Sequence, residues 1–333
     1  MISGLHTVYE SGSKSGSGTK CCGPTTIMKL NTLSATLTCA LLLLVHGSSR
    51  SAVLASSYGT NDSGRRIIDA ELANPLDYKF FVKINADGIL CGGSILSGFW
   101  LVTASHCIYR TKCQTIEIYP STWSRDQPER LYAAECVTHP QYDPRRHAFD
   151  IALIKTVGGM FSRGLEAVNI LSPYSRYGPP TSVTTLGWGK VENNACPLAL
   201  LRGVTRLAPW EACNSQYKAA SKRCQGNSNC SIENIPNRIL CARSARPLPH
   251  SGCGGDSGGP LMIYRELAGI NIGAIYAKGP KTYQGCVPVS LTMHTRISDY
   301  LPWLFSVIEP HRNTTEFKVG VGPESSDTIL VEG

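Results

Sequence analysis

What the chain lacks narrows the choice of fold and function first. No segment recurs at a period of about 20 to 50 residues, which excludes solenoids and propellers of stacked units. Helical heptads are few and strand-like runs do not alternate with helical ones, so coiled coils and βαβ sheets are excluded as well. Basic residues do not cluster. The Lys/Arg doublets are Arg65-Arg66, Arg145-Arg146 and Lys222-Arg223, with no basic helix and no basic–aromatic stripe. The formal net charge of +8 therefore reads as scattered solvated surface, and nucleic acid is not expected as a partner. There is no EF-hand loop, no metal-ligand spacing of His and Cys, and no nucleotide-binding loop, so neither a metal nor a cofactor is expected.

Long hydrophobic runs are also missing. The largely apolar stretch from Leu33 to Val45 falls short of the roughly 20 residues that span a bilayer. A lysine after Met28 precedes it and small residues follow it, the layout of a secretory signal over 28–49. No membrane anchor is expected, and the protein is expected to be secreted. Residues 1–27 are polar and Gly/Ser-rich and read as an upstream extension; residues 309–333 read as a disordered tail.

Cysteine, in contrast, is abundant: 14 residues in a chain of 333. Removing Cys21, Cys22 and Cys39 with the leader leaves 14 − 3 = 11, in a compartment where disulfides form. Short apolar runs broken by Gly, Pro and Asn point to an all-β architecture. The length suits one large β domain or two small ones.

One stretch carries the chemistry. "SGCGGDSGGPL" (Ser251 to Leu261) sets Ser257 in the frame G-x-S-x-G. That frame fits an α/β-hydrolase elbow, a β-barrel peptidase serine, or a plain Gly/Ser loop. A serine hydroxyl becomes a nucleophile only when a base takes its proton and a carboxylate fixes the tautomer of that base. "WLVTASHCIYR" offers His106 and "HAFDIALIK" offers Asp150. The order His–Asp–Ser excludes the α/β-hydrolase, which needs Asp and then His after the serine. Taken singly, each residue reads as an ordinary surface, cap or loop residue. Taken together, in order and in context, they read as a catalytic set.

With "TASHC", "DIALIK" and "GDSGGP" in this order, the chain resembles the chymotrypsin/trypsin family of secreted serine peptidases, from Ile67 to about Ile308. The resemblance implies two packed six-stranded antiparallel β-barrels with a C-terminal helix, over 67–308. The helix is expected in "SDYLPWLFSVI", with Ser298 as N-cap and Tyr300, Leu304 and Val307 on one face. His106 and Asp150 would come from the first barrel and Ser257 from the second. Ser257 would be the nucleophile, His106 the general base and then acid, and Asp150 the orienter. The backbone N–H groups of Gly255 and Ser257 would form the oxyanion hole. Ser105 stands where the family usually has alanine; a small residue still fits there.

The resemblance also implies a zymogen. Cleavage after Arg66 would remove a propeptide over 50–66 and free the amino group of Ile67 to pair with Asp256. The new terminus, Ile-Ile-Asp-Ala, matches the family start only in part. Disulfides Cys91–Cys107, Cys213–Cys241 and Cys253–Cys286 are implied. Cys113 and Cys136 are non-standard and suited to bridging strands of the first barrel, while Cys196, Cys224 and Cys230 stay unassigned. Sequons stand at Asn61, Asn229 and Asn313.

The specificity pocket departs most from the family. Ser251 takes the place of the floor residue that is Asp in trypsin-like members, Thr292 that of a glycine, and His294 that of a tyrosine. Lys278 would stand at the pocket mouth. Preference for small or neutral residues before the scissile bond is expected, with acidic ones a further option. Expected partners are protein or peptide substrates, an activating protease and protein inhibitors. Two functions remain open: an active endopeptidase, or a catalytically silent homologue acting as a binding or regulatory protein.

Overall fold

The computed structural model describes residues 71–122, 129–144, 148–188, 199–221, 235–243, 250–252, 256–276 and 287–308. The assigned leader, propeptide and tail lie outside these residues. A short strand, β1 (Glu71–Leu72), opens the described chain. The first barrel follows, from β2 (Phe81–Ala86), β3 (Ile89–Ile95), β4 (Trp100–Thr103), β5 (Glu117–Pro120), β6 (Leu131–Thr138) and β7 (Ala152–Thr156). It closes in the order β2-β3-β4-β7-β6-β5, every pairing antiparallel.

The second barrel uses β8 (Ser182–Gly187), β9 (Leu201–Ala208), β10 (Ile239–Arg243), β12 (Pro260–Ile263), β13 (Glu266–Tyr276) and β14 (Val287–Arg296). Its ring runs β8-β9-β10-β14-β13-β12 and closes back on β8, while β1 adds to β9 and β11 (His250–Gly252) adds to β14. The fold is the pair of six-stranded barrels that the resemblance implies.

The strands form because their side chains alternate. In β2, Val82, Ile84 and Ala86 are buried while Lys83 and Asn85 lie nearer solvent. A one-residue slip would reverse both faces, so this alternation fixes the register. The β2–β3 hairpin turns on Asp87 and Gly88, with φ 53° and 91°, the pair of positive values that a type I′ turn demands. Trp100, Ile84, Ile95, Leu101, Ile116, Ile118, Leu153 and Ile154 of the first barrel's strands and turns are almost wholly buried, on its inner face or against the rest of the core. Each such burial is worth about 1.5–3 kcal/mol.

Three α-helices, α1 (Ser105–Ile108), α2 (Trp210–Ser221) and α3 (Leu301–Ile308), and short 3₁₀ turns complete the described chain. None among the described residues is long and apolar enough to cross a membrane. The sequence reading has no counterpart for α2; its polar surface hides an anchoring face on which Cys213, Tyr217 and Asn214 are buried. At the C-terminus Ser298 is not the N-cap. It lies inside a 3₁₀ turn, Ile297–Tyr300, capped by Arg296, and the helix proper starts at Leu301. Its inward residues are Leu304 and Ile308, with Tyr300 buried just before them. Val307 is only partly buried against the core.

Disulfides join Cys91 to Cys107, Cys113 to Cys136 and Cys213 to Cys241, with Cα–Cα separations of 6.2, 5.6 and 6.2 Å. Cys113–Cys136 ties the turn before β5 to β6, within the first barrel. Cys253, Cys286, Cys196, Cys224 and Cys230 lie outside the described residues. Such bonds belong to an oxidising compartment.

Candidate active site

Strand β4 delivers the chain to α1, a single turn whose second residue is His106. Asp150 stands just ahead of β7, which pairs directly with β4. The pairing Thr103↔Ala152 sets the ends of the two strands side by side and brings His106 to Asp150. The Asp150 Oδ2 atom meets His106 Nδ1 at 2.7 Å, and its Oδ1 accepts the His106 backbone N–H at 2.9 Å. Both carboxylate oxygens thus serve one residue. The Nδ1 proton is held on the carboxylate, and Nε2 is left as the basic nitrogen.

Asp150 is 2% exposed and the His106 side chain 21%. Burial alone would lower the pKa of the imidazole. The charge of Asp150 and its hydrogen bond more than offset this, and the His106 pKa lies above its ordinary 6.5. Nε2 lies 3.8 Å from Cys107 Sγ. Cys91, His106 and Cys107 form a cluster of potential metal ligands, but both sulfurs are committed to one disulfide and offer no thiolate.

Ser257 lies on a β-turn that Gly259 N–H closes onto the Asp256 carbonyl at 3.1 Å, with Gly258 at φ 76° in its third position. The glycines of the "GDSGGP" motif have a second, tertiary reason. A Cβ on Gly258 would sit 2.2 Å from Thr103 Oγ1 and 2.4 Å from the Gly92 carbonyl, and one on Gly92 would sit 2.8 Å from Gly259 Cα. The two barrels therefore meet backbone to backbone at the serine turn. Gly92 N–H donates to the Ser257 carbonyl at 2.7 Å, and Thr103 Oγ1 donates to the Gly92 carbonyl at 2.8 Å. Thr103 lies three residues before His106, so this contact docks the turn against the segment that carries the imidazole.

The other face of the turn is held by Asn271 of β13, which sequence reading overlooks. Its carbonyl accepts Gly258 N–H at 2.7 Å, its N–H donates to the Gly259 carbonyl at 2.9 Å, and its side-chain amide donates to the Asp256 carbonyl at 3.2 Å. Nothing near Asn271 in sequence marks it; only pairing across the second barrel does. The Asp256 carboxylate packs on Gly187, where an added Cβ would lie 1.9 Å from Oδ1. Arg66, Ile67 and Gly255 lie outside the described residues.

The pocket residues divide. Thr292 and His294 lie two apart on β14, with His294 Nε2 2.9 Å from Thr292 Oγ1. Thr292 Oγ1 in turn donates to the Ala242 carbonyl at 3.3 Å, so it accepts from the imidazole. His294 is wholly buried and its Nδ1 has no hydrogen-bond partner. Burial drives its pKa down to about 3, so the ring is neutral. Ser251 of β11 stands opposite Pro288, four positions along β14 from Thr292, or about 13 Å at strand rise. Lys278 lies outside the described residues.

Residues 67–304 match the family model described as Trypsin. The chain is 26% identical over 256 residues to serine protease 57 of Homo sapiens, covering 74% of this chain and 82% of that protein. It is also 26% identical over 246 residues to trypsin Blo t 3 of Blomia tropicalis, covering 72% and 84%. Among solved structures it resembles the scabies mite inactivated protease paralogue S-D1, with a TM-score of 0.58 and 20% identity, over 72% of this chain and 96% of that one.

Proposed function

The chain belongs to the trypsin family, and from that premise we propose that it is a secreted serine endopeptidase made as a zymogen. In this reading Ser257 Oγ attacks the scissile carbonyl while His106 Nε2 takes its proton. Asp150 holds the imidazole and stabilises the imidazolium that forms. The backbone N–H groups of Gly255 and Ser257 receive the oxyanion. His106 then returns the proton to the leaving amine, and water releases the acyl group from Ser257 by the same steps in reverse. Cleavage after Arg66 frees Ile67, whose ammonium pairs with Asp256 and orders the turn. Protein or peptide substrates, an activating protease and protein inhibitors are the partners.

One observation carries the reading. The Asp150 carboxylate meets the His106 imidazole at 2.7 Å and accepts the His106 backbone N–H at 2.9 Å, and the serine turn is docked by its glycines onto the strand leading to that imidazole. A half-buried histidine held by a fully buried carboxylate beside a docked serine turn is the arrangement that general-base activation of a serine requires. On the substrate side, Thr292 in a glycine's place and a neutral buried His294 favour small or neutral residues before the scissile bond. Ser251 and Lys278 supply no charge to attract basic ones.

The test is direct. Cleaved after Arg66, the protein should begin Ile-Ile-Asp-Ala, label once with a fluorophosphonate, and hydrolyse a peptide library. Ser257→Ala should lose both labelling and hydrolysis. An activated form that neither labels nor hydrolyses any member would instead support the silent-homologue reading, which the likeness to an inactivated paralogue keeps in view.

A further inference from the structure

Beside the His106–Asp150 contacts runs a third link that this reaction scheme does not use. Ser105, wholly buried, donates from Oγ to the Ile151 carbonyl at 2.6 Å. The residue before the histidine is thereby tied to the residue after the aspartate. From the other side Thr295 of β14, 1% exposed, donates from Oγ1 to the Asp150 carbonyl at 3.0 Å.

The backbone so gripped is not a relaxed one. Phe149 has φ 57°, a left-handed conformation costly for a bulky side chain and worth a functional hypothesis wherever it is found. The surroundings over-determine it. The Phe149 ring stacks on His139 at 4.8 Å and meets Tyr300 edge-on at 6.1 Å, with the Arg238 guanidinium 5.7 Å above it. The Phe149 carbonyl accepts Ile151 N–H at 2.9 Å, and the Ile151 carbonyl also accepts His139 N–H at 3.1 Å. Every carbonyl from 149 to 151 is bonded, two of them to a buried hydroxyl.

We propose that Ser105 and Thr295 are positioning residues: their hydroxyls clamp the strained Phe149–Ile151 backbone from opposite barrels and so aim the Asp150 carboxylate at His106. The inference rests on the reaction proposed above. Ser105 fixes the carboxylate relative to its own barrel; Thr295 fixes it relative to the barrel that bears Ser257.

The clamp acts through charge. Asp150 raises the His106 pKa by Coulombic attraction and by hydrogen bonding, both of which decay as the carboxylate swings away. Losing a clamp should therefore lower kcat, leave KM nearly unchanged, and move the acid limb of the kcat/KM profile to lower pH. A neutral hydrogen bond nets about 1 kcal/mol, and 1.36 kcal/mol is tenfold in rate, which gives about fivefold in kcat per hydroxyl.

The experiment has two arms. Ser105→Ala and Thr295→Val are made in the active chain for kinetics, and again in a Ser257→Ala background for NMR titration of the His106 ring, assigned by its loss in His106→Gln. Each substitution should reduce kcat about fivefold and lower the His106 pKa in both arms, and Thr295→Ser should restore wild-type values. A fall in melting temperature with kcat, acid limb and ring titration all unmoved would overturn the proposal. Should the parent chain prove inactive, the peptidase reading fails by itself. The NMR arm still decides the clamp, because it needs no turnover.

Discussion

The two barrels share a strand count but solve burial differently. In the first, the buried hydroxyls are absorbed by backbone: Thr103 donates to Gly92, Ser105 to Ile151, and Thr156 to Gly158, while Ser97 accepts from Trp100. Its ladder is nearly unbroken, with a single register shift where β6 meets β7. The second barrel breaks register in both the β12–β13 and β13–β14 pairings, holds Gly273 at φ 148°, and buries an imidazole with one nitrogen unmatched. The first barrel is a regular frame carrying the hydrogen-bonded His106–Asp150 pair. The second is irregular where it meets the serine turn and the pocket strand. Irregular backbone aims side chains that a flat ladder cannot aim, and an unmatched polar atom is tolerated where function rather than packing sets the sequence.

The sharpest break of this comparison is Ser257→Ala. It should leave both barrels folded and remove hydrolysis by a factor on the order of 10⁶, read as residual turnover of the activated form.

Next is the seam between the barrels. Gly258→Ala meets Thr103 and Gly92 at forbidden distances and sits in the left-handed region, so it should cost roughly 2–5 kcal/mol in chemical denaturation. Gly164 has nearly the same φ, 74°, but nothing within 4 Å. Gly164→Ala should cost only about 1 kcal/mol, and equal losses at both sites would mean that the barrels do not meet at Gly258 as described.

The first barrel's own staple is tested by replacing Cys113 and Cys136 together with alanine. Their sequence separation of 23 predicts a loss of about 3 kcal/mol with the reaction chemistry intact. A loss of activity without a loss of stability would tie this bond to the site instead of the frame.

At neutral pH, where the folded and unfolded rings are both mostly uncharged, the smallest effect belongs to His294. Its folded pKa of about 3 lies below the unfolded value of 6.5. Between those limits the unfolded chain binds one more proton than the folded one, so stability falls as pH drops below 6.5, by about 1.4 kcal/mol per pH unit. His294→Tyr should flatten the pH dependence of unfolding by one proton. An unchanged slope would show that His294 is not buried neutral. On the rate side His106 must be neutral to act, and its raised pKa sets the acid limb of kcat/KM above 6.5.

How far the site was legible follows from where its partners lie. His106, Asp150 and Ser257 stand in local strings whose residue types carry the chemistry, and the six-stranded barrels follow from the family those strings mark. Thr295, Asn271 and Ser105 carry no such mark, because each acts on a group outside its own stretch of chain. Thr295 reaches Asp150 across 145 positions, and a threonine in a strand of mixed polar and apolar residues looks like any other. Ser105 reads as a tolerated small residue until Ile151 is placed above it. Helix α2 went unread for a related reason: its buried Cys213, Asn214 and Tyr217 show as one face only once β10 supplies the surface beneath.

The sequence by itself determined the all-β character, the order of the three chemical residues and the cysteine content suited to an oxidising compartment. All of these depend on residue type and short spacing. Only the tertiary structure decided that Gly92 and Gly258 are glycines for lack of room, that Asp150 is gripped from both barrels, that Ser251 sits along β14 from Thr292, and that His294 is neutral. Those depend on which distant atoms come within a few ångströms and on how much water they exclude, and neither quantity exists until the barrels close.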